Sequence, residues 1–444
     1  MKTFQPILLG IFVFLAVVGV LIFAGIGINT GGNAIGNVMI WGTLPQAQMQ
    51  AVLEDIRLTR SDFSGVSYIA KDPRTYQSDL IEALAAGKGP DLFLLSQDRI
   101  LQNYDKILRI PYSTLSERAF KDKYIAEGDI LLFPDIPAGN GQPAQAGGIA
   151  GLPFTIDPLV MYWNRSIFAD TGIATPPQFW DSFFALSQKI TKRNQANTVL
   201  RATAPLGEYA NIPNAKSTLT ALFLQAGDPI VSYGNDGVTH TVLSATPEGQ
   251  QTPPGEAALR FYTEFSDPTK VDYTWNRALP SARDMFTAGD LAVYFGFASE
   301  LPTIRNANPN LDFDVAELPQ IRDAKTKATF GNMLSLAIPR TSVNVKGAYT
   351  TASVLSDTAV LTSLGNKTFL PPVLRSMLAT APSQAFQNVF YSSALIAKAW
   401  LDPNPDKSQE VFRAMIEDTT SGKSRPNEAI VAAEKELENL LRGK

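Results

Sequence analysis

The sequence predicts an α/β protein of two lobes preceded by one membrane-spanning helix. Three observations carry this. Residues 7–28 form a run of 22 residues without a charge. The rest of the chain alternates short apolar strand-like runs with amphipathic helical ones. At roughly 150 residues per domain, 444 residues leave room for two or three domains and ample cores. With 45% hydrophobic and 18% charged residues, the chain lies within the range of folded proteins, which excludes disorder as its main state. Lys and Arg number 38 against 42 Asp and Glu, a net charge of −4 with no basic excess to attract a phosphate backbone, so nucleic acid is not an expected partner. The absence of cysteine excludes disulfides, thiolate metal sites, cysteine nucleophiles and a lipid-bearing N-terminal cysteine. A single histidine, His240, leaves most zinc sites and histidine-based triads unsupported, and no metal or cofactor is expected.

The first element is ILLGIFVFLAVVGVLIFAGIGI, residues 7–28, long enough to cross a bilayer as a helix. A signal peptide's apolar region is shorter, about 7 to 15 residues; cleavage after the small residues near Ala24 and Gly25 is the alternative. Lys2, on the N-terminal side, places the tail in the cytoplasm and the body outside by the positive-inside rule. The Gly- and Asn-rich stretch Asn29–Asn37 reads as a flexible spacer.

The body opens with a short strand, VMIWG, and a helix with Met49, Val52, Leu53 and Ile56 on one face. FSGVSYIA offers a second strand. In YQSDLIEALAAGKGPDLFLL, Tyr76, Leu80, Ile81 and Leu84 fall on one helical face, Gly87 can supply the left-handed residue that ends the helix, and Asp91 opens the strand LFLL. Strand, helix, strand argues for a parallel sheet covered by helices. Pro137–Gly148 reads as a surface loop, after which IAGLPFTIDPLVMYWN crosses into the second lobe. Thr175 is expected to cap a helix begun by Pro176 and Pro177, with Trp180, Phe183, Phe184 and Ile190 buried. SARDMFTAGDLAVYFGFASELPTI repeats helix, Gly turn at Gly289, strand and helix; DFDVAELPQ and MLSLAIPRT add strands, and helices follow to Lys444.

Taken together, IWG, ALAAGKGPDLFLLSQDR, GLPFTIDPLVMYWNRSIFADTGIATPPQFWDSF, MFTAGDLAVYFG, FDVAELPQ and LAIPRT resemble, in order, the extracellular solute-binding proteins of ABC importers, of the maltose-binding-protein type. The similarity covers Val38 to about Ile338; the C-terminal third matches only loosely, around PPVLRS and Trp400. It implies a two-lobed periplasmic-binding-protein-like fold of type II with discontinuous lobes. Lobe 1 would hold 38–154 plus about 315–340, and lobe 2 would hold 155–314 plus about 341–444, behind an anchor at 1–28 and a linker at 29–37. Family members often carry a lipidated cysteine. This chain has none, so the resemblance implies a receptor held by its own transmembrane helix, monomeric, whose partners are a small solute, a sugar above all with peptides, polyols and sugar phosphates as alternatives, and the permease subunits of an ABC importer.

The resemblance carries ligand contacts onto Thr43 and Leu44 after the first strand, onto Asp98 and Arg99 after LFLLSQ, and onto Asp157 in the hinge-crossing run. Asp98 suits hydroxyl donors and Arg99 donates in fixed geometry; a solvated surface pair is the alternative. Aromatic rings favour flat sugar faces, and the candidates are Trp275, Phe297 and Trp400, with Trp41 beside them, whereas Trp180 reads as core. Paired carboxylates could hydrolyse a glycoside if held about 5 to 10 Å apart, but no nucleophile motif accompanies Asp98 and Asp157. A binding receptor is therefore expected, against the alternatives of an anchored sensor or adhesin and, behind them, a hydrolase.

Overall fold

In strand β1 (Val38–Gly42) the apolar run leads straight into helix α1 (Gln46–Arg57), whose Met49, Val52, Leu53 and Ile56 are all buried. Strand β2 (Val66–Ala70), helix α2 (Tyr76–Ala85) and strand β3 (Leu92–Ser96) complete the unit, and β1 pairs in parallel with both β2 and β3. In α2, Tyr76, Leu80 and Leu84 are buried, but Ile81 points outward at 40% exposure. Gly87 has φ +67° with open space where a Cβ would lie, so the left-handed backbone and not crowding calls for glycine. The computed structural model describes residues 35–136, 146–234, 238–380, 382 and 384–443. The apolar run 7–28, and with it the expected anchor, lies outside them; among the described residues no helix is long and apolar enough to cross a membrane.

The lobes are joined by two long strands. Strand β4 (Leu152–Asn164) has 13 residues, of which only Asp157 and Trp163 keep partial exposure. Its second half is flanked by β5 (Val293–Phe297) and β6 (Phe313–Ala316), both antiparallel to it. Its first half pairs with β7 (Thr329–Ala337), which also pairs with β3. The first lobe's sheet thus runs β2-β1-β3-β7-β4, and β4 continues out of it into the second lobe. A register shift at Leu334/Ser335 interrupts the β4–β7 ladder, the kind of irregularity that bends a strand.

Two expectations are corrected. The helix expected from Pro176 begins at Ser182. Residues around Phe179 instead run beside Gln320, whose N–H donates to the Gln178 carbonyl and whose carbonyl accepts from Trp180 N–H. Proline disfavours helix in the residue before it, and this partner satisfies the backbone instead; Trp180 is core, as expected. Second, the allotment of 341–444 to the second lobe does not hold for the helix Thr358–Thr368. It packs on α1, where Ser363 and Lys367 both donate to Asp55, at 2.6 and 2.8 Å. The second lobe receives the later C-terminal helices: α3 (Ala215–Ala226) there packs with α4 (Pro405–Thr420), and α4 with α5 (Pro426–Leu441).

Candidate functional site

In open α/β sheets, ligands bind outside the carboxyl ends of the strands. Here the ends of β1 and β3 meet the second lobe. Thr43 and Leu44 follow β1, both partly buried, and the Leu44 carbonyl accepts from the Tyr68 hydroxyl at 2.8 Å. After β3 the chain makes a short 3₁₀ turn, Gln97–Arg99. Gln97 fastens that turn to the hinge: its Nε2 donates to the Gly331 carbonyl and Asn332 Oδ1, and its Oε1 accepts from Met333 N–H.

The turn aims Asp98 and Arg99 at the second lobe. The Arg99 guanidinium donates to both oxygens of Asp406, at 2.9 and 3.0 Å, and Asp406 lies in the first turn of α4. Lys216, in the first turn of α3, donates to Asp402 Oδ2 and Ser408 Oγ, each at 2.7 Å. Asp98 lies among these charges with its Oδ1 buried and without a donor. Burial pushes its carboxyl above the usual range and the Asp402 charge adds to this, while Ser96, Arg99 and Lys216 oppose it.

Asp157 sits on β4 where the lobes join. Its Oδ1 accepts from Ser299 N–H at 3.0 Å, and burial pushes its carboxyl up to about 7. Its register partner on β7 is the exposed Asn332, so both project from the same, polar face of the hinge. Ile156, the preceding residue, faces the other way, where its side chain and the Glu127 carboxyl both crowd Gly331. Glu127 is 1% exposed, neither of its oxygens has a hydrogen-bond partner, and burial together with the Asp157 charge pushes it up to about 8. It packs on Gly331, where any Cβ would collide with its Oε2.

The aromatic candidates divide. Phe297, at the end of β5, is 8% exposed, its ring centroid 6.3 Å from that of Phe330 on β7 and its residue two before Ser299, so it lies at the floor beside Asp157. Trp400 is 4% exposed, with the Lys216 ammonium 5.6 Å from its ring; it lines a cavity of about 460 Å³. That cavity runs between Glu127 and Ile130 of the first lobe and Asp228 and Tyr233 of the second. None of Asp98, Arg99 and Asp157 lines that cavity; the strand-end cleft, where Asp98 and Arg99 meet Lys216, Asp402 and Asp406 of the second lobe, is the candidate solute site. Trp275 belongs to neither: it has no exposed surface, and its Nε1 donates to Asn211 Oδ1 at 3.0 Å inside the second lobe. His240 stands in a hairpin strand, its Nδ1 3.1 Å from Arg442 Nη2. Sequence reasoning missed Lys216, Ser299, Asp402 and Asp406, which reach the cleft from distant segments. Among the described residues no cluster of His, Asp or Glu has the arrangement of a metal site.

Solved structures share this architecture. A cyclo/maltodextrin-binding protein complexed with maltotetraose aligns with TM-score 0.70 at 16% identity, covering 94% of this chain and 98% of that one. The sugar-binding protein MalE of Xanthomonas citri gives 0.70 at 16% identity over 92% and 98%. An ABC transporter solute-binding protein of Thermotoga lettingae, bound with α-D-tagatose, gives 0.61 at 20% identity over 91% and 100%. At such identities these likenesses establish the fold. A Brucella abortus protein named as a binding protein is 22% identical over 268 residues, 60% of this chain, and the alignment spans 58% of that relative's length. The model of the bacterial extracellular solute-binding proteins matches residues 61–390. The chain, with its two joined lobes and its cleft at the strand ends, belongs to that family of solute receptors rather than to a family of enzymes.

Proposed function

We propose that the protein captures a small hydroxyl-rich solute, a sugar or oligosaccharide, by closing its lobes on it, and delivers it to an ABC importer from the outer face of the membrane, held there as a monomer by residues 7–28. The observation that carries this reading is the convergence of Asp98 and Arg99 from the first lobe with Lys216, Asp402 and Asp406 from the second. Polar side chains from both lobes at one cleft mean that a solute touching both stabilises the closed form by its extra contacts there. The sugars named with the structural relatives support the solute class. A micromolar dissociation constant corresponds to about −8 kcal/mol, within reach of a few charged hydrogen bonds and apolar contact with a ring such as Phe297.

Mass spectrometry of the solute retained by the purified body, residues 38–444, tests this directly. A sugar recovered chemically unchanged, which reduces the radius of gyration in small-angle scattering and raises the melting temperature on re-addition, is the expected result. A solute recovered cleaved, or a protein partner that alone produces the shift, would replace receptor by hydrolase or sensor. The anchor has its own test: the full chain should sediment with membranes and resist high salt, and 38–444 should not.

A further inference from the structure

Hydrogen-bonding capacity at the lobe junction is unevenly spent, and the imbalance bears on which solutes can enter. The Arg99 guanidinium is a fork suited to any planar or tetrahedral anion. Here it is filled: Nη1 donates to Gln102 Oε1 and Asp406 Oδ2, and Nη2 to Asp406 Oδ1. The Lys216 ammonium is likewise held by Asp402, itself 2% exposed, and by Ser408. Both cations beside Asp98 therefore meet the solute already neutralised by carboxylates of one C-terminal segment. Asp98 is in the opposite condition: Ser96 hydrogen-bonds to its carboxyl, but its Oδ1 is buried with no donor.

We propose that Asp406 is a specificity-determining residue, whose carboxylate fills the Arg99 fork where an anionic solute would bind, so that the cleft admits uncharged or amine-bearing hydroxylated solutes and refuses phosphorylated or carboxylated ones. An incoming anion must displace Asp406 and then lie close to Asp98 and Asp402, whose charges repel it. An incoming hydroxyl or ammonium that enters while the lobes are apart can instead donate to Asp98 Oδ1, which is otherwise buried without a partner when they meet, and the new bond removes that cost. Asp406 is 72% exposed, so its replacement disturbs no core. This inference rests on the cleft being the sugar site proposed above.

The test uses inorganic phosphate as probe, compared with chloride at equal ionic strength, on the wild type and on Asp406→Asn, which keeps the shape and removes the charge. The wild type should show no saturable stabilisation by phosphate. Asp406→Asn should bind it at least tenfold more tightly, and the double variant Arg99→Met/Asp406→Asn should lose that gain. Equal phosphate affinity in wild type and variant, or no affinity in a variant folded by circular dichroism, overturns the proposal. An array of neutral, amino, uronic and phosphorylated saccharides adds a second arm. Retention of neutral or amino members alone supports the proposal, and retention of an acidic member by the wild type overturns it. A blank array counts against the sugar reading, and the phosphate arm, which needs no sugar, still decides the role of Asp406.

Discussion

Across the thickness of the two hinge strands, a carboxyl meets two opposite environments. On the polar face Asp157 accepts from Ser299 N–H and keeps some contact with solvent. On the other face Glu127 is sealed against Ile156 and Gly331 with no donor for either oxygen. Burial raises both, to about 7 and about 8. The difference is one of access: Asp157 lies on the face to which the proposed function assigns the solute, whereas Glu127, sealed on the other, is tolerated at neutral pH by keeping its proton.

Acidity should break this comparison most widely. An acid whose folded pKa lies above its unfolded one carries an extra proton in the folded state, so its contribution is complete below its ordinary 4.5 and is lost as pH rises toward about 8. Glu127→Gln cannot ionise. Relative to wild type it should flatten the fall in stability between pH 5 and 8.5 by on the order of 2–4 kcal/mol, read from urea denaturation. An unchanged slope would place the titrating proton elsewhere.

Next in size is Gly331→Ala. Its methyl collides with the Glu127 carboxyl, and such overpacking costs about 1–3 kcal/mol. Adding Glu127→Ala should return most of that loss, since the space is freed; failure of the rescue in denaturation experiments would mean that the hinge backbone, not the carboxyl, makes the demand.

Asp157→Asn should move stability least, by under about 1 kcal/mol, because the amide oxygen can still accept from Ser299 N–H. Its effect belongs to affinity: calorimetry with the retained solute should show a loss of about 1–3 kcal/mol. Unaltered affinity would remove Asp157 from the cleft.

Those residues also mark what the sequence could reveal. The β1-α1-β2-α2-β3 unit was legible because its signals are local: the spacing of Met49, Val52, Leu53 and Ile56 alone defines the buried face of α1. Asp98 and Arg99 were legible as residues following a strand. Their partners were not, since Asp406 lies 307 positions from Arg99 and nothing in DPNPDK announces a cleft. Glu127, in YIAEGDI, reads as an ordinary surface acid until the fold closes over it. Ser363 and Lys367 find Asp55 more than 300 residues away, so the membership of their helix in the first lobe is a property of tertiary packing. Aromatic content could not separate Trp275, whose ring nitrogen is satisfied inside the second lobe, from Phe297 at the cleft floor.

The position of β7 has a consequence for the birth of the molecule. It fills the place between β3 and β4, yet 232 residues, 97–328, separate it from the end of β3. At a synthesis rate of about 5–20 residues per second, the inner edge of β3 waits roughly 10–50 s for its partner. Throughout that interval neither lobe can be finished, and an apolar strand edge is open to mispairing. The first lobe to begin is thus among the last to close.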